Sequence, residues 1–146
     1  MKLLIINGPN MNLLGLREPD IYGKRTYSDL IAMIDEHCKA LGIEAEFFQS
    51  NHEGAIIDKI QESYGVFDGL VINPAGYTHT SVAIADAISA VAIPTIEVHI
   101  SDISAREDFR HRSITGTAAL EIIYGKGFDG YCEAVTKLYD KIKASL

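Results

Sequence analysis

The chain has 146 residues and a mass of 16.0 kDa, about one domain in length. Hydrophobic residues make up 47% and charged residues 23%, which excludes intrinsic disorder as a description of the whole. A net charge of −7 argues against a nucleic-acid or anionic-membrane surface as the main partner, and no apolar run approaches the roughly 20 residues that span a bilayer. The opening residues Met1 to Pro9 are too soon broken to read as a secretory signal, so a cytoplasmic location is expected. Cys38 and Cys132 lie far apart without CxxC spacing and indicate neither a zinc site nor a disulfide framework.

In chain order, Lys2 to Asn7 is a short apolar run closed by Gly8-Pro9. Ser28, as a predicted N-cap, opens a helix with Leu30, Ile34, Cys38 and Leu41 on one stripe and Gly42 as its stop. Phe47 to Gln49 reads as a second strand. Ile56, Ile60 and Tyr64 mark a helix ending at Gly65, and Gly69 to Asn73 a third strand. Val82, Ile84, Ala87, Ile88 and Val91 form the next helical stripe, stopped by Pro94. Thr95 to Ile100 is a fourth strand, and Ala119 to Tyr124 a fifth candidate. Tyr131, Val135, Leu138 and Ile142 mark a C-terminal helix. Short β-branched runs, apolar on both faces and alternating with helices, imply a parallel sheet with right-handed crossovers. The predicted fold is α/β, a flavodoxin-like doubly wound five-stranded parallel sheet with helices on both faces. It is read as a single catalytic domain over 1–146, with an active-site lid loop around 17–25.

In such a sheet, ligands bind beyond the carboxyl ends of the strands. Those ends carry Asn7 to Asn10, Gln49 to Glu53, Asn73 to His79 and Glu97 to Ser101, all polar and rich in Asn, His and Ser. Asn and Ser are also ordinary loop and cap residues, but four converging polar ends suit a polar substrate. Glu97 and His99 share one face of the fourth strand, about 7 Å apart along it. Ionisable neighbours are unexpected in a strand buried on both sides. They form either a buried structural pair or an arrangement in which a carboxylate holds an imidazole as a general acid.

The segment Gly8 to Arg25 is long enough to be a lid. It carries Arg17 and Tyr22, each with a bland reading: a loop tyrosine commonly anchors packing. As a base, Tyr22 would have to ionise about three units below the model value of roughly 10, at a cost of around 4 kcal/mol. One cation at about 4 Å in an effective dielectric of about 20 supplies a comparable amount, and Arg17 is the candidate. Arg106, Arg110, His111 and Arg112 form a local cationic cluster. It suits an anionic substrate, an intersubunit salt-bridge network or a solvated face. Five histidines invite a metal reading through His52, His79 and His99, but no ligand spacing appears; P-loop and GxGxxG motifs are absent too.

Several separate motifs then carry a resemblance. Asn7 to Gly15, Arg17-Glu18-Pro19 and Ile21-Tyr22-Gly23 closely resemble the N-terminal signature of type II 3-dehydroquinate dehydratases. Gln49 to Gly54, Asn73 to Ser81, Glu97 to Ser101, Arg106-Glu107, Phe109-Arg110 and Gly125, Gly127, Gly130-Tyr131 extend it over nearly the whole chain. The resemblance implies an anti elimination of water from 3-dehydroquinate to 3-dehydroshikimate through an enolate, a shikimate-pathway step, with neither metal nor organic cofactor. It implies Tyr22 as the base, with Arg17 beside it, and Asn10 holding the water that stabilises the enolate oxygen. His99 becomes the acid and Glu97 its partner. Asn73, His79, the Ile100 backbone, Ser101 and Arg110 become substrate-binding positions, and Asp86 a residue that reaches a neighbouring subunit's site. A homo-oligomer, a dodecamer of four trimers, is implied as well. Ala85, Asp102, Glu121 and Glu133 depart from the family pattern and motivate an alternative, a binding relative without turnover.

Overall fold

Why each strand forms is clearest in β1 (Lys2–Asn7), where side chains alternate between two separate cores. Leu3 and Ile5 pack on one face of the sheet, with Leu30, Ile34, Tyr131 and Val135; Leu4 and Ile6 pack on the other, with Ile56, Ile60, Ile84 and Ile88. Two buried faces explain the unbroken apolar run. The structure is a computed structural model that describes residues 1–16, 20 and 24–146, so Arg17, Tyr22 and most of the expected lid lie outside the described residues.

β1 is joined in one parallel sheet by β2 (Glu44–Gln49), β3 (Gly69–Asn73), β4 (Thr95–His99) and β5 (Glu121–Tyr124), in the order β2-β1-β3-β4-β5. This is the expected flavodoxin-like arrangement. Helices α1 (Tyr27–Ala40) and α4 (Asp129–Ala144) cover one face; α2 (Glu53–Glu62) and α3 (Val82–Val91) cover the other. The chain leaves β1 to one side for β2 and returns to the other for β3, which places the topological switch point between β1 and β3.

Several boundaries differ from the sequence expectation. Thr26, not Ser28, caps α1: its Oγ1 accepts from Asp29 N at 3.2 Å while Asp29 Oδ2 accepts from Thr26 N at 2.8 Å, a reciprocal capping box. Gly42 does end α1, with φ +72° and a bond from Ile43 N back to Cys38 O at 2.8 Å, a left-handed cap that satisfies late carbonyls. β2 begins at Glu44 rather than Phe47, because as an edge strand it is only partly buried and tolerates Glu44 and Glu46. Tyr64 lies beyond the end of α2 and is exposed. β5 starts at Glu121, since residues Thr115–Ala118 form a 3-10 turn before it. α3 ends at Val91, where Ala92 takes the left-handed conformation before Pro94 stops the chain.

The ends of β1 and β3 are drawn together. Gly8 N donates to Asn73 O at 2.8 Å, and a Cβ built on Gly8 would lie 2.5 Å from Pro74 O. That oxygen is backbone and cannot swing aside. Gly8→Ala should therefore destabilise the protein by about 1–3 kcal/mol, the usual cost of overpacking, read as a lower denaturation midpoint in urea. Denaturation unchanged from wild type would show that the two strand ends separate freely.

Candidate active site

β4 has one conventional face and one unusual one. Ile96, Val98 and Ile100 join the core under α4, whereas Thr95, Glu97 and His99 point to the side of α3. Glu97 is fully buried, and His99 retains only 6% of its surface, at the lip of a cavity of about 140 Å³. A carboxylate removed from water must be satisfied by donors. Glu97 Oε2 accepts from His99 Nε2 at 2.8 Å, Ser113 Oγ at 2.6 Å and Thr78 Oγ1 at 2.9 Å; Oε1 accepts from Thr115 Oγ1. Burial pushes the Glu97 carboxyl up, but the hydrogen bond and charge of His99, with the Ser113 and Thr115 hydroxyls, outweigh it and hold the group below its ordinary value.

That depression has a consequence for stability. Ionised Glu97 stabilises the fold at every pH above its ordinary range, about 4.3, and the contribution is lost as pH falls through the lower native value. Wild type and Glu97→Gln, compared by urea denaturation, should differ most near pH 7 and converge only once pH has fallen below the lowered native value. A gap independent of pH would show that the carboxylate's charge is not what matters.

The cavity opens where the carboxyl ends of β1, β3 and β4 meet. Pro9 and Asn10 contribute one wall, Ala75, Gly76 and His79 a second, and His99, Ser101, Ile103, Arg106 and Arg110 the third. Asn10 adopts φ +69°, a left-handed conformation that asparagine tolerates, and its N–H donates to Asn51 Oδ1 at 3.0 Å. Gln49 Nε2 donates to Gly8 O at 3.1 Å, so the end of β2 also braces this turn. His79 Nδ1 donates to the Arg112 carbonyl at 2.8 Å, which fixes its tautomer and leaves Nε2 unused by that bond. Arg106 Nη1 donates to Ser101 Oγ at 3.4 Å, and Arg110 Nε lies 2.8 Å from Glu107 Oε2. Two guanidinium groups give an otherwise acidic chain a locally cationic wall suited to an anionic ligand.

Of the residues expected from sequence, Asn10, His79, His99, Ser101 and Arg110 are brought together around the cavity, with Glu97 behind His99. Ile100 and Asn73 are not on its lining. Asn73 is buried, with its Nδ2 donating to Tyr131 Oη at 2.9 Å and its Oδ1 accepting from the N–H of Ala75, a lining residue, at 3.0 Å. Tyr131 Oη in turn donates to Asn7 Oδ1 at 2.6 Å, tying α4 to β1 and β3. Asp86 is exposed on α3, outside the cavity. Arg17 and Tyr22 lie outside the described residues. His52 stands at the start of α2 and does not line the cavity, so the three-histidine metal arrangement is not formed; among the described residues no group of three or more His, Cys, Asp or Glu could hold a metal ion. Thr78, Ser113 and Thr115, which complete the Glu97 environment, were not singled out by sequence reasoning. The one available signal was that a buried carboxylate needs donors, without a hint of which.

None of the family departures lines the cavity, although Asp102 stands between the lining residues Ser101 and Ile103. Asp102 caps a 3-10 turn by accepting from Ser104 N at 2.9 Å, while Glu121 and Glu133 both bind Lys137, at 2.6 and 3.3 Å. Ala85 is buried in α3.

Fold and cavity together define a doubly wound α/β protein with a carboxylate–imidazole pair facing a polar, cationic site at the strand ends. The family model described as Dehydroquinase class II matches residues 1–139. A 3-dehydroquinate dehydratase of Endomicrobium trichonymphae is 52% identical over 137 residues, covering 94% of this chain and 96% of the relative. One from Bacillus cereus is 49% identical over 142 residues, 97% of each. The crystal structure of type II dehydroquinase from Butyrivibrio crossotus superposes with a TM-score of 0.93 at 55% identity, covering 94% of this chain and 97% of that one. The chain belongs to the class II dehydroquinase family.

Proposed function

We propose that this chain is a type II 3-dehydroquinate dehydratase, a hydro-lyase that converts 3-dehydroquinate to 3-dehydroshikimate and water by anti elimination through an enolate. The observation that carries the reading is the pair Glu97–His99, with Glu97 buried behind a cavity that His99 lines together with Arg106 and Arg110. A carboxylate can only accept, so His99 Nε2 carries the hydrogen of that bond, and Nδ1 is the nitrogen left for a ligand. Protonated, the imidazole is the general acid.

The reaction divides into two steps. Tyr22, ionised beside Arg17, takes the proton alpha to the ketone, and the C–H electron pair becomes the enolate. A water held by Asn10 stabilises the enolate oxygen. The enolate then collapses: its electrons form the carbon–carbon double bond as the C–O bond to the leaving hydroxyl breaks. His99 gives that hydroxyl a proton, and water departs. Exchange with solvent resets both groups. The substrate carboxylate and ring hydroxyls are held by Asn73, His79, the Ile100 backbone, Ser101 and Arg110, with Asp86 reaching a neighbouring subunit's site.

The same reading makes residues 1–146 one catalytic domain with a lid around 17–25. It needs no metal or organic cofactor and places the enzyme in the shikimate pathway of the cytoplasm, as a dodecamer of four trimers. Among the described residues no helix is long and apolar enough to cross a membrane, which is compatible with that location. The deciding assay adds 3-dehydroquinate to the purified protein and follows the ultraviolet absorbance of the enone. Turnover unaffected by a chelator or by borohydride is expected. Tight binding without turnover, or activity abolished by the chelator, would overturn the reading.

A further inference from the structure

We propose that Thr78, Ser113 and Thr115 are positioning residues that keep Glu97 ionised and immobile, so that His99 presents Nδ1 to the cavity. The inference rests on the dehydratase reading and deepens it, because it names what governs the acid. Its basis is the count of hydrogens around the carboxylate. Three hydroxyls and one ring N–H converge on two oxygens. The hydroxyls also crowd one another, with Thr78 Oγ1 lying 2.6 Å from Ser113 Oγ and 2.9 Å from Thr115 Oγ1. Each hydroxyl has a single hydrogen, and each can direct it at Glu97. Every hydrogen aimed at Glu97 favours the carboxylate, because a protonated carboxyl would need one of these hydroxyls to turn its hydrogen to a neighbouring hydroxyl and accept instead. The cage therefore favours the ionised state of Glu97.

Its construction is non-local. Thr78 comes from the turn after β3, and Ser113 and Thr115 from the segment leading into β5; Ile114 N donates to Thr78 O at 2.7 Å and ties the two together. Thr78 and Thr115 are fully buried. Thr115 is the partner of Oε1, whereas Oε2 has the other three donors, so Thr115 has the greatest leverage on the charge. The other ionisable groups around His99 are few among the described residues. His79, Arg106 and Arg110 share the cavity wall, and Tyr124 on β5 lies beside His99 in register. β3 has no ionisable side chain, α3 has only exposed Asp86, and on α4 the nearest buried one, Tyr131, belongs to the opposite core.

The test uses the full-length protein with Thr115→Val, which removes the O–H at nearly constant shape, and Thr115→Ser, which restores it. Infrared difference spectra against pH, with carbon-13-labelled glutamate and Glu97→Gln to assign the band, report protonation of Glu97 whatever the activity. Thr115→Val should move that protonation upward by about one pH unit, the equivalent of a tenfold change in its equilibrium. It should also lower kcat about tenfold with KM within twofold, the pattern of a misplaced acid rather than lost binding. Thr115→Ser should follow wild type in both. Ser113→Ala, at a less buried position, should shift the band in the same direction and serves if Thr115→Val does not fold. The proposal is overturned if these variants leave Glu97 titrating as in wild type, or if Thr115→Ser loses as much as Thr115→Val. A wild type without dehydratase activity would sink the functional reading alone, since the infrared measurement still decides whether the cage controls Glu97.

Discussion

His99→Ala should lower kcat by about 10²- to 10⁴-fold while KM changes only a few-fold, measured as the initial rate of enone formation. The reason is the difficulty of expelling hydroxide without a proton. An enolate supplies electrons for the departure but no hydrogen, and in the proposed reaction His99, hydrogen-bonded to buried Glu97 at the cavity, is the donor. The variant should remain folded. Its side chain is at the lip of an existing cavity, and Glu97 keeps Thr78, Ser113 and Thr115 as donors when the ring is gone. Near-normal kcat with weakened binding would reassign His99 to holding the substrate.

Tyr22→Phe should be at least as damaging, again by about 10²- to 10⁴-fold in kcat, with an unchanged thermal midpoint. Phenylalanine fills the same space but cannot hold or release a proton. The phenol must be shifted by about three units to act near neutrality, around 4 kcal/mol, which a single close guanidinium can provide. Arg17→Ala should accordingly move the acidic limb of the pH–rate profile upward as the phenol's pKa rises toward its ordinary value. Full activity in Tyr22→Phe would remove the base assignment.

How much of this was legible in the sequence depends on how local the physics is. β1 and β3 read correctly because both of their faces are buried, and an unbroken apolar run reports that directly. β2 read short because an edge strand mixes Glu44 and Glu46 into its pattern, which resembles a loop. The choice of Thr26 over Ser28 as the α1 cap turned on Asp29, three residues on, completing the reciprocal bond. Glu97 and His99 stood out because two ionisable residues on an interior strand demand a reason. Their surroundings did not. Thr78, Ser113 and Thr115 are ordinary loop hydroxyls until the turn after β3 and the segment before β5 meet over β4. Asn73, expected at the substrate, has an amide that also bridges Tyr131 and Ala75, a structural part its place at the end of β3 does not announce.

The central claim is a division of labour across the substrate ring, with a base on one face and His99 releasing the hydroxyl on the other. It is tested most directly with 3-dehydroquinate stereospecifically deuterated at the carbon between the ketone and the hydroxyl-bearing carbon. If the account holds, the product loses the deuterium that stands anti to the departing hydroxyl and keeps the one that stands syn. Loss of the syn deuterium would place base and acid on the same side and contradict it.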